Sequence, residues 1–288
     1  MPASSPNKRK PAARTAAKPA SRPKAGAGAR KSVRKRKRKV NVSALTAIAV
    51  AGLLLILGVG LPLLRRAGRP AAEAGASLPQ MSFSACGIDI SHNNAGPIVW
   101  DSLLVMVDRS GRTVKSLEDA RKVYPVKFVF IKASEGASMK DSQFKSLWKE
   151  AGEHDIQRGA YHFFRSSKDG GIQANNFMAA VGELRHSDLP PVLDIETIHR
   201  GCSRKTLNDR ALQWLRAIEK HYGRKPVVYT YDDFAKNYLS DEIKENYPIW
   251  IAHYETEQPV FEGWEYWQFT DRAYVYGMPE PVDLSIRK

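Results

Sequence analysis

Eight short runs rich in β-branched and aromatic residues, each bounded by turn formers, recur along the chain from Phe83 onward. They are FSACGIDI, KFVFIKAS, RGAYHFF, PPVLDIE, PVVYTY, YPIWIAHY, EYWQFT and VDLSI. Helical patterns separate the earlier ones. In DSQFKSLWKEAG the residues Phe144, Leu147, Trp148 and Ala151 repeat at helical spacing. TLNDRALQWLRAIEKHYG puts Leu207, Ala211, Trp214, Leu215 and Ile218 on one face, with Thr206 as N-cap and Gly223 as the stop. After Tyr231 the helices thin out. Five β/α units followed by three strands predict an α/β fold with a parallel sheet, closed as a trimmed TIM-like barrel over 83–288. An open doubly wound sheet is the alternative. No GxGxxG or P-loop follows any strand, which argues against its nucleotide-binding forms.

What precedes the barrel has a different texture. Residues 1–40 hold fifteen of the chain's 45 Lys and Arg and none of its 30 Asp and Glu, so the remainder is neutral in sum. Such a segment buries too little apolar surface to fold alone, and 1–42 is expected to be a disordered basic tail. Its cations would suit anionic lipid or nucleic acid, or simply set topology. The run SALTAIAVAGLLLILGVGLPLL, 43–64, carries no charge and is long enough for one transmembrane helix. The positive-inside bias then leaves the N-terminus cytoplasmic and the barrel exported. A cleaved secretory signal is the rival, disfavoured by the long basic lead and the length of the apolar run. Residues 65–82, rich in Ala, Gly and Pro, read as a linker. The two cysteines, Cys86 in a strand and Cys202 in a loop, are expected to be free thiols, and no metal-ligand cysteine spacing is present.

In a β/α barrel the active site gathers at the C-terminal ends of the strands. The polar and aromatic residues there are Asp89, Lys132 and Glu135, Tyr161 and His162, the pair Asp194 and Glu196, Tyr229 and Tyr231, Trp250, His253 and Tyr254, Trp267 and Gln268, and Asp283. Alone, Asp89 could be a turn residue, Lys132 a neutralising partner and Trp250 plain core. His162 reads as a satisfied core histidine, and Glu135 and His253 as structural or rim residues. The pair in PPVLDIET is harder to dismiss. Residues two apart in a strand face one way, and like charges so placed are costly unless a cleft meets them.

The ordered set GIDIS, GPIVW, FIKASEG, GAYHFF, LDIE, YT, IWIAHY, WQFT and VDLS resembles glycoside hydrolase family 25, the lysozymes or N-acetylmuramidases that cut peptidoglycan. The resemblance runs from about Gly87 to Ser285. It implies a trimmed β/α barrel and cleavage of the β-1,4 bond between N-acetylmuramic acid and N-acetylglucosamine without a cofactor. It also implies roles: Glu196 as general acid and base, Asp194 tuning it or orienting the 2-acetamido group, and Asp89 and Asp283 completing an acidic floor. Tyr161, Tyr229, Trp250 and Gln268 would line sugar subsites, with Lys132 beside them. The segment VMVDRSGRTVKSLEDARKVYPV, 105–126, is longer than the family pattern suggests and could cap the cleft, select glycans or bind a partner. Two other classes stay open: a peptidoglycan-binding module without turnover, and a metal-dependent phosphodiesterase in which Asp89, Asp194 and Asp283 hold Mg²⁺.

Overall fold

The computed structural model describes residues 75–94, 96–254 and 256–288; the expected basic tail 1–42 and membrane anchor 43–64 lie outside them. Among the described residues no helix is long and apolar enough to cross a membrane.

Eight strands close into a barrel. In chain order they are β1 (Ala85–Ile90), β3 (Lys122–Glu135), β5 (Gln157–Phe163), β6 (Val192–Asp194), β7 (Val227–Tyr231), β8 (Ile249–Ala252), β9 (Trp264–Ala273) and β10 (Val282–Arg287). They pair in that order, and β10 returns to β1. Each matches one of the eight sequence runs. Two short strands lie off the ring: β2 (Leu104–Val107) and β4 (Met139–Lys140), both antiparallel to β3. The helices are α1 (Phe144–Ala151), α2 (Gly170–Val181), α3 (Arg204–Tyr222), α4 (Asp232–Asn237) and α5 (Asp241–Asn246).

Three expectations need correction. First, α-helices follow β3, β5, β6 and β7, whereas β1 is followed by a 3-10 turn and a hairpin. The hairpin is the 105–126 segment. Its β2 pairs with the first residues of β3, and its Val105 and Val107 join Trp100 and Leu103 in the apolar layer that holds Ile88 and Ile90. It covers the outer wall as a helix would elsewhere. Second, the sheet is not all parallel: β10 runs antiparallel to both neighbours. Only residues 274–281 join it to β9, too few for a parallel crossover. Third, the linker ends earlier than expected. The Ala76 amide donates to Thr113 Oγ1 at 3.1 Å, the Leu78 amide donates to the Gly111 carbonyl at 2.9 Å, and Arg112 donates twice to the Gly75 carbonyl. Residues 75–83 are thus a strap of the barrel, tied to the hairpin.

Local signals explain the rest. Ser203, not Thr206, caps α3: its Oγ accepts from the Thr206 amide at 3.0 Å. Gly223 ends that helix at φ +67°, which glycine adopts without Cβ strain.

The barrel interior is a column of rings. Phe128 meets Tyr266 edge-on at 5.4 Å, Phe130 stacks on Trp250 at 4.6 Å, and Trp250 meets Tyr229 edge-on at 4.6 Å. Two inward positions are glycine because no side chain fits beside these rings. A Cβ on Gly87 would lie 2.1 Å from Phe128, and one on Gly159 would lie 2.5 Å from Phe130. The column fills the lower barrel, and the ionisable side chains of the candidate site gather above it.

Candidate active site

Alternation along each strand decides what reaches that top. Residues of one parity face the barrel axis and the others face the helices. On β1, Gly87 and Asp89 face in while Ile88 and Ile90 face out; on β6, Val192 and Asp194 face in while Leu193 faces out. The same parity brings Lys132, Tyr161, Tyr229, Gln268 and Asp283 to the mouth. Asp89 and Asp283 are directly paired across β1 and β10.

Strand β6 stops at Asp194, so Glu196 sits just beyond it, where the chain turns away. The two carboxyls are within hydrogen-bonding reach of each other. Asp194 is 5% exposed and its Oδ1 is buried without a hydrogen-bond partner; Glu196 is half-buried above it. Burial pushes the proton affinity of Asp194 well up, and the neighbouring Glu196 charge adds to it. Burial also raises Glu196, against the hydrogen bond with Asp194 and the pull of Lys132 and Arg165. The pair therefore holds a proton above the ordinary carboxylate range.

Gln268 organises one side of the mouth. Its Oε1 accepts from Tyr229 Oη at 2.8 Å and from Tyr254 Oη at 2.6 Å, and its Nε2 donates to Asp89 Oδ1 at 2.7 Å. It is 2% exposed, so it positions these groups instead of lining a subsite. Trp250 also departs from expectation. At 2% exposure, with Nε1 donating to Ser285 Oγ at 3.1 Å, it lies one layer beneath the surface of the mouth and supports Tyr229. Burial holds Tyr161, Tyr229 and Tyr254 well above the usual phenol range, followed for Tyr161 by the nearby acids, for Tyr229 by Tyr254 and then the acids, and for Tyr254 by Asp283 and Asp89. All three stay neutral hydroxyl donors.

The opposite side is cationic. Lys132 Nζ donates to Glu135 Oε2 at 2.8 Å, Arg165 Nε donates to Glu135 Oε1 at 2.9 Å, and Arg165 Nη2 donates to the same oxygen. Burial disfavours the Glu135 carboxylate, yet hydrogen bonds from Lys132 and Arg165 outweigh it and hold its pKa below the usual value. Lys132 thus pairs with a carboxylate in the wall.

Two strand-end tyrosines that the sequence brings to the mouth without a role are found there: Tyr254 is 37% exposed with its hydroxyl turned inward, and Tyr231 is similarly open near Glu196. Arg165, which follows β5, was not among the expected mouth residues, and nothing in the sequence distinguished it. His162 is a core group: its Nδ1 meets Ser134 Oγ at 2.8 Å, it stacks on Trp214, and burial lowers its pKa to about 4. Cys86 and Cys202 are free thiols. Among the described residues no group of three or more His, Cys, Asp or Glu is placed to hold a metal ion.

A closed barrel with a proton-sharing carboxyl pair among neutral hydroxyls and aromatic rings defines a glycosidase type of site. The comparisons with known proteins agree. The sequence pattern described as "Glycosyl hydrolases family 25" matches residues 88–278, and the chain belongs to that family. It is a glycoside hydrolase. YegX of Escherichia coli (strain K12) is 35% identical over 221 residues, 76% of this chain and 74% of its own. Lysozyme M1 of Streptomyces globisporus is 28% identical over 69% of this chain and 66% of its own. Among solved structures, a bacterial lysozyme from Streptomyces coelicolor superposes with a TM-score of 0.60 at 26% identity, covering 72% of this chain and 94% of that one. A family 25 glycosyl hydrolase from Bacillus anthracis gives 0.61 at 25% identity, covering 76% and 94%.

Proposed function

We propose that this enzyme is a muramidase, cutting the β-1,4 bond between N-acetylmuramic acid and N-acetylglucosamine in peptidoglycan. The observation that carries the reading is the Asp194–Glu196 pair: one acid nearly closed off, the other reaching the mouth, with a proton held between them. Glu196 gives that proton to the glycosidic oxygen as the bond to the anomeric carbon breaks. The sugar's 2-acetamido oxygen attacks the same carbon, forming a cyclic intermediate. Glu196, now a carboxylate, takes a proton from water as its oxygen adds to that carbon. Asp194 Oδ1 is a buried acceptor lacking a donor, and an acetamido N–H would satisfy it while aligning the attacking oxygen. Asp89 and Asp283 border the floor. Tyr161 and Tyr229 offer hydroxyls and ring faces to the sugars.

Two measurements bear on this. Reducing ends released from purified peptidoglycan should vanish with Glu196→Gln and survive a chelator; loss with chelator would favour metal chemistry, and binding without release would favour a non-catalytic module. The first-formed anomer, followed by NMR, should be retained, and an inverted product would rule out the acetamido route in favour of direct water attack.

The proposal extends to location. A helix over 43–64 with a cationic lead would hold the barrel on the exported side of a membrane, next to its substrate. The tail 1–42 would face the cytoplasm, where anionic lipid or nucleic acid is available to it.

A further inference from the structure

The mouth has one cationic side flanked by acids: Lys132 and Arg165 rise from β3 and β5, between Asp283 and Asp89 on β10 and β1 and the Asp194–Glu196 pair on β6. This matters because a muramic residue carries a carboxylate on its lactyl arm, either its own or that of an attached peptide. An acidic floor repels such a sugar unless a cation receives the carboxylate. On the cationic side Glu135 is shared by two bases, so one positive charge is left over. Lys132 is 13% exposed and directed at Glu135, but the Arg165 side chain is 37% exposed. Its guanidinium lies against the Phe163 ring at 4.6 Å, fixed by Nε and Nη2 on Glu135 Oε1. Among the described residues Nη1 has no protein acceptor.

We infer that Arg165 selects the substrate, with Nη1 binding a carboxylate on the lactyl arm of the muramic residue whose bond is cut. This rests on the muramidase reading above. A guanidinium already held flat by a ring and a carboxylate loses little freedom on meeting a second carboxylate. The contact exists in both ground and transition state, so its effect falls on KM more than on kcat.

The test uses three substrates: peptide-free glycan strands with free lactyl carboxylates, the same strands with those carboxyls converted to methylamides, and peptide-bearing strands. For the wild type, methylamidation should lower kcat/KM on the order of ten-fold, chiefly through KM, as expected for a charge-assisted hydrogen bond. Arg165→Gln should turn over the free and methylamidated strands equally, and Arg165→Lys should restore part of the preference. If Arg165→Gln loses ground on peptide-bearing strands instead, the carboxylate recognised is that of the peptide. If Arg165→Gln loses activity on free and methylamidated strands by the same factor, Arg165 acts through Glu135 and the assignment is overturned. If the wild type cuts none of the three, the muramidase reading itself fails.

Discussion

Glu196 and Asp194 differ by two positions in sequence and by a layer in depth, and that difference separates their roles. Replacing Glu196 with Gln keeps the shape and removes the proton, so turnover should fall on the order of 10²–10⁴-fold while the fold persists. A comparable rate in that variant would contradict the assignment. The pH dependence follows from the raised proton affinities. Activity needs one proton on the pair, so kcat/KM should decline as pH rises through a value above the ordinary carboxylate range, and Asp194→Asn should move that limb. Stability runs with the same sign. Because the folded pair binds its proton more tightly than the unfolded chain does, it favours the fold at pH below the unfolded carboxylate value. That contribution is lost as pH climbs through the raised folded value. Thermal melts of Asp194→Asn should therefore gain on the wild type more at pH 8 than at pH 4. An equal offset at both would count against it. Which face each residue takes was legible from alternation. Its depth was not: Trp250 and Gln268 end up beneath the surface because the stagger of a closed barrel sets height, and a single strand's sequence does not encode stagger.

The strands were legible as elements because their apolar runs are short and sharply punctuated. The first connection was not. Counting it as a β/α unit assumed that every outer wall is covered by a helix, but VMV in β2 pairs with β3 and supplies the same apolar cover. Nor does composition state the direction of β10; the length of its connection does. Gly87 shows how tightly elements are matched across the barrel. Gly87→Ala should destabilise the domain by about 1–3 kcal/mol or more through overpacking against Phe128, a change readable in denaturant midpoints. A Phe128→Leu partner change should recover part of that loss, since it removes the atoms the new methyl meets. Failure of the second change to help would mean the strain lies elsewhere.

As a whole molecule, the chain combines a barrel whose cleft is built from strand ends with a strap that joins it to whatever precedes Gly75. The strap's bonds to Gly111, Arg112 and Thr113 predict a boundary for the stable domain. A chain starting at 75 should melt cooperatively, and one starting at 84 should melt several degrees lower; identical melting would show the strap to be idle. Full-length protein should sediment with membranes and resist high-salt washing, as a spanning helix requires and a basic tail alone would not. The most direct measurement of the central claim is mass spectrometry of the fragments released from peptidoglycan by the full chain. The account predicts muropeptides ending in reducing N-acetylmuramic acid, absent with Glu196→Gln. Fragments ending in reducing N-acetylglucosamine, or the same fragments at the same rate from the variant, would contradict it.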